Sequence, residues 1–83
     1  MENNVDSNQK TILIVEDEPP IVDILVYNLK KEGYNTLEAY DGVTAVEMAL
    51  NYKPDLILLD IMLPKIDGLT VCKKIRASLN VPI

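Results

Sequence analysis

Glu16 and Asp17 belong to an acidic run, Glu16-Asp17-Glu18, that directly follows Ile12-Leu13-Ile14-Val15, and Asp60 directly follows Leu56-Ile57-Leu58-Leu59. In both places a carboxylate stands where a short, continuously apolar stretch stops, as it would at the end of a strand buried on both faces. If the two stretches share a sheet, the three carboxylates are candidates to meet in space. Facing carboxylates repel, so such a cluster costs free energy unless the groups take up protons or share a cation. The chain has no histidine and a single cysteine, Cys72, which leaves hard oxygen ligation as the available chemistry and Mg²⁺ as the best-suited ion. Mg²⁺ uses only one or two protein carboxylates and keeps positions for water and phosphate oxygens, the outline of a phosphoryl-transfer site. A carboxylate beside it can itself be the nucleophile, forming an aspartyl phosphate. Asp60, alone at the end of its stretch, suits that role. Taken singly, acids after strands also cap helices or solvate loops. It is their combination that argues for chemistry.

The elements that must position these groups are legible along the chain. Lys10 to Val15 predicts a first buried strand. Pro19 and Pro20 suit a helix start, and Ile21, Val22, Leu25, Val26 and Leu29 fall on one helical face until Lys30, Lys31 and Gly33 supply charge and cap. Tyr34 to Tyr40 alternates as a half-buried strand, and Asp41-Gly42 turns it into a second helix carrying Val43, Val46, Ala49 and Leu50, stopped by Pro54. Leu56 to Leu59 predicts a third strand. Pro64 and Gly68 punctuate the following loop, Leu69, Cys72, Ile75, Arg76 and Leu79 form a third amphipathic helix, and Val81-Pro82-Ile83 opens a further strand. Strands and helices in short alternation imply right-handed crossovers and an open α/β architecture, a parallel sheet flanked by helices. In such sheets ligands sit beyond the carboxyl ends of the strands, where both acidic groups stand.

Thirteen acidic against eight basic residues give a net charge of −5, a field that repels phosphate backbones and anionic membranes. No direct nucleic-acid binding and no membrane association by this segment are expected. No run approaches the roughly 18 apolar residues of a membrane span, and the polar lead 1–9 has no apolar signal region, so a cytoplasmic location is expected. Cys72 on the apolar stripe of the third helix reads as an inert thiol, Met48 as core filler, and Tyr27, Tyr34, Tyr40 and Tyr52 as cover at the core's margins. Lys73, Lys74 and Arg76 read as complements to a helix dipole.

Ile12 to Glu18, Asp41-Gly42, and Asp55 to Gly68 with its Asp60, Met62, Pro64 and Asp67 together resemble the receiver domain of two-component response regulators. The likeness runs from about Lys10 to Ile83, so residues 10–83 read as a partial receiver domain after the lead 1–9. It implies the flavodoxin-like receiver fold, incomplete, with the first three βα units and the start of strand 4. It further implies Asp60 as phosphoacceptor, Asp17 as a direct Mg²⁺ ligand, Glu16 as a ligand acting mostly through water, and the Met62 backbone carbonyl as a further ligand, with Asp60 itself completing the set. No other cofactor is implied. Pro64 and Gly68 would shape the loop around the phosphorylation site.

On the same resemblance a sensor histidine kinase is the expected phosphodonor. A receiver domain is not a conventional enzyme: Mg²⁺-dependent self-phosphorylation on Asp60 and slow autodephosphorylation are expected of the complete domain. The sequence flavour is that of regulators with a C-terminal winged-helix domain, so the parent would control transcription, with DNA contacted through that missing domain. The family's Ser or Thr after the fourth strand and Lys after the fifth have no counterpart here, and the chain reads as a piece of a longer regulator. By the family's strand order its third strand would be a hydrophobic edge without a neighbour, which invites a homodimer or other self-association. A Mg²⁺-dependent phosphatase of the haloacid dehalogenase type is the rival from another class, but it needs a second Asp two residues after the nucleophile, where this chain has Met62.

Overall fold

The computed structural model describes residues 9–60, 68–77 and 82–83. Its elements follow the alternation expected: β1 (Thr11–Val15), α1 (Pro19–Lys31), β2 (Asn35–Ala39), α2 (Gly42–Tyr52), β3 (Leu56–Leu59) and α3 (Gly68–Arg76). The three strands are parallel, in the order β2-β1-β3, with Leu13 opposite Leu37 and Ile57, and Val15 opposite Ala39 and Leu59. Because β2 and β3 flank β1 on opposite sides, right-handed crossovers place α1 on one face of the sheet and α2 on the other.

The period-two alternation of the strands divides the core accordingly. Leu13, Val15, Ala39 and Ile57 form a buried cluster with Ala45 and Ala49 of α2 and Val71 and Ile75 of α3, and Met48 packs against it. Ile12 and Ile14 point to the other face, where Val22 is the buried residue of α1. Here the helical stripes differ from the sequence reading. On α2 the small side chains Ala45 and Ala49 lie innermost, while Val43 and Leu50 are exposed. On α3 burial centres on Val71 and Ile75, four residues apart on one face, which turns Leu69 outward to 62% exposure and leaves Cys72 only half-buried. The four tyrosines are exposed, Tyr27 and Tyr52 most of all. Leu79 lies outside the described residues.

Local chemistry ends each element where it does. Pro19 opens α1, whose first amides, those of Ile21 and Val22, donate to the Glu18 carbonyl. At its other end Gly33 takes φ 95°, its amide donating to Lys30 O and that of Tyr34 to Leu29 O, a Schellman closure that favours glycine. Asp41, expected as a turn residue, is the N-cap of α2, accepting the Thr44 amide at 2.8 Å. The chain's end also finds a place: the Ile57 amide donates to the Pro82 carbonyl at 3.0 Å and Ile83 packs against the core. The outer edge of β3 is therefore paired at Ile57 instead of lacking a neighbour.

Candidate metal centre

Two ladder bonds carry the sheet's order past the last strand residues. The Glu16 amide donates to Ala39 O at 3.1 Å and the Asp60 amide to Val15 O at 3.0 Å, so Glu16 leaves the central strand from backbone fixed by β2 and Asp60 leaves β3 from backbone fixed by the central strand. One carboxylate oxygen from each of Glu16, Asp17 and Asp60 lies within 4.8 Å of the others. Glu16 and Asp60 are half-buried and Asp17 is exposed. The sequence reading of these three is thus brought together by the β1–β3 pairing. Met62, expected to add its carbonyl, lies outside the described residues, as do Pro64 and Asp67.

Electrostatics at the site run in the direction a cation would relieve. Burial pushes the Glu16 carboxyl above its usual range, and the nearby charges of Asp60 and Asp17 push it the same way. A bond from the Glu18 amide to Glu16 Oε2, at 3.3 Å, opposes this by favouring the charged form. Three hard oxygen donors, destabilised by one another and open to solvent through Asp17, fit Mg²⁺: few protein ligands, with room for water or phosphate oxygens.

Beside the acids opens a cavity of about 480 Å³, walled by Ile14, Ile21, Leu25 and Leu58 and lipped by Glu18. No motif in the sequence marks this wall. Its only signal is the apolar N-terminal half of α1, whose place across the cavity from Leu58 depends on strand order. The apolar wall lowers the dielectric on one side of Glu16 and Asp60, which strengthens every charge interaction there.

A family model for the response regulator receiver domain matches residues 12–83. Among solved structures, the BeF3-activated N-terminal receiver domain of Klebsiella pneumoniae RstA is similar at 37% identity and a TM-score of 0.80, covering 84% of this chain and 60% of that one. The response regulator protein TrrA from Thermotoga maritima in complex with Mg(2+)-BeF is similar at 40% identity and 0.80, over 83% of this chain and 60% of that one. The N-terminal domain of a response regulator receiver protein from Methanoculleus marisnigri matches at 39% and 0.79, over 83% and 56%. The chain thus spans 60% or less of each of these three structures.

Proposed function

This chain belongs to the response regulator receiver domain family, and from that premise we propose that Asp60 accepts a phosphoryl group from a sensor histidine kinase in a Mg²⁺-dependent reaction. The observation that carries the reading is the convergence of Glu16, Asp17 and Asp60 within 4.8 Å at the carboxyl ends of β1 and β3. Asp17, Glu16 and Asp60 would hold the ion, with the Met62 carbonyl as a further donor. When bound, Mg²⁺ neutralises charge on the transferring group.

The residues do the rest. An oxygen of the Asp60 carboxylate forms the new P–O bond as the P–N bond to the kinase's histidine breaks, and the departing imidazole keeps the electron pair and takes a proton. The product is an acyl phosphate on Asp60, whose later attack by water returns the carboxylate and releases inorganic phosphate. The Val15–Asp60 ladder bond holds the nucleophile's backbone during both steps. The apolar side chains of Ile14 and Leu58 border the open cavity beside it.

We further propose residues 10–83 as the receiver portion, acting as a signalling switch in the cytoplasm for a longer regulator that controls transcription. Two of the similar structures are described as N-terminal domains, which supports that placement. Among the described residues no helix is long and apolar enough to cross a membrane. The test is labelling by a small phosphodonor with Mg²⁺ present. The chain should acquire a hydroxylamine-labile phosphoryl group that Asp60→Asn abolishes; labelling that survives the substitution would show the acceptor to be elsewhere.

A further inference from the structure

The chain's cations gather at one end of the sheet. Lys10 precedes β1, Lys30 and Lys31 close α1, Lys53 ends α2, and Lys73, Lys74 and Arg76 occupy the last turn of α3. Between parallel strands each connecting helix runs back against the sheet, so helix C-termini and strand N-termini share this end. Apart from Lys10, each cation there complements a helix dipole locally. The topology adds these local preferences into one basic foot, which holds every Lys and Arg except Lys65, a residue outside the described ones. All of the foot's cations are exposed. Among the described residues the acids at this end are Glu32 and Asp55, and the Asp55 carboxylate is engaged by the Thr11 amide. The opposite end, the mouth, carries Glu16, Asp17, Glu18, Asp41 and Asp60 and no cation among the described residues.

We propose that the basic foot docks on the acidic mouth of a second copy of this chain, head to tail. The occupant follows from charge complementarity, since the molecule presents the matching surface on its own far end. The net charge of −5 opposes any self-contact, but distance separates the two effects. A five-residue strand is about 17 Å long, so the like poles of stacked copies lie farther apart than the Debye length of about 10 Å at 0.1 M salt, while the facing poles touch. Repulsion is then screened and the facing attraction is kept. Such a contact is heterologous and leaves one foot and one mouth free, so it extends into short stacks instead of closing as a symmetric dimer. The proposal uses only the negative charge of the mouth, not its metal chemistry or phosphorylation, and it stands or falls apart from the function above.

The test is a dilution series of the whole chain, read by two-dimensional amide NMR with EDTA present. At about 0.1 M NaCl the amides of Glu16, Asp17 and Asp60 and those of Lys30, Lys53 and Lys73 should shift together with concentration, and the shifts should shrink several-fold at about 1 M NaCl, where the Debye length is about 3 Å. K73E/K74E and, separately, K30E/K31E change only exposed residues, and each should keep a dispersed spectrum and lose the concentration dependence. The proposal is overturned by spectra indifferent to concentration up to the millimolar range, by shifts confined to Ile57 and Leu59 at the outer edge of β3, or by shifts that persist in high salt or in both charge-reversed variants.

Discussion

Asp55 holds both backbone groups of Thr11: its amide donates to the Thr11 carbonyl and its carboxylate accepts the Thr11 amide, each at 2.8 Å. This double contact fastens the foot of β3 to the foot of β1, as the Val15–Asp60 bond fastens their upper ends. Asp55→Ala keeps the backbone bond and loses the side-chain one, an exposed charge-assisted contact whose removal is expected to cost about 1 kcal/mol. Asp55→Asn retains an acceptor and should lose less. Urea midpoints check both. Because this contact lies at the opposite end of the strands from the acids, the Mg²⁺ affinity of the folded protein should be the same for both variants and the parent.

Thr36 has a buried hydroxyl with no hydrogen-bond partner, on the face of β2 that looks toward α1. Thr36→Val replaces it with a methyl group of similar shape and keeps β-branching. The expected result is a gain of about 1 kcal/mol in unfolding free energy, since an unsatisfied buried polar group costs about that or more. An unchanged or lower midpoint would mean that water reaches the hydroxyl.

The two ends of α2 differ in how well their residues suit them. At the start Asp41 accepts the Thr44 amide and also lies 3.3 Å from its hydroxyl, and Asp41→Ala should cost about 1 kcal/mol. At the other end Lys53 takes φ 49°, a left-handed conformation that a side chain resists. Lys53→Gly should therefore stabilise the chain by about 0.5–1 kcal/mol. Thermal unfolding of the two single variants and the double variant should give additive changes, because the sites are a helix length apart.

The raised Glu16 carboxyl gives the metal-free protein a pH signature. A carboxyl whose folded pKa lies above its unfolded one holds its proton more tightly when folded, so stability falls as pH rises through that range. Burial and the neighbouring Asp60 and Asp17 charges make the ionised form the costly one. Glu16→Gln should thus be more stable than the parent near pH 7 in EDTA, and the difference should vanish below about pH 4, where Glu16 is protonated in both states. With Mg²⁺ present the order should reverse near pH 7. Denaturant midpoints across pH, with and without the ion, check the sign.

The alternation of strands and helices was legible because buried parallel strands and amphipathic helices write different periods into the chain, and the acids at Glu16, Asp17 and Asp60 stood out because they end apolar runs. Their meeting was legible only through the family resemblance and its strand order, because it depends on β3 pairing with β1 and strand order leaves no local trace in the residues themselves. The inward faces of the helices depart from the sequence pattern for a related reason. Size alone does not say which apolar residue faces the sheet: Ala49 faces it as its spacing implies, but Val71 and Ala45 take the inward places that the same spacing gives to Leu69 and Val43. The Asp55 grip on Thr11, the lone Thr36 hydroxyl and the Pro82 bond to Ile57 are contacts between distant segments and appear only in three dimensions.

Glu16 and Asp60 are 44 residues apart in sequence, and the parallel pairing of β1 with β3 is what joins them. Contacts of such separation require long loops to close first, and parallel pairing is slow for that reason. The acidic mouth is therefore expected to form late as the chain refolds, with the mutual repulsion of its carboxylates setting in as closure completes. An ion bound there meets no equivalent site in the earlier, half-assembled states. Its stabilisation should therefore lengthen the lifetime of the native state by slowing unfolding, while leaving the rate of folding nearly as it was.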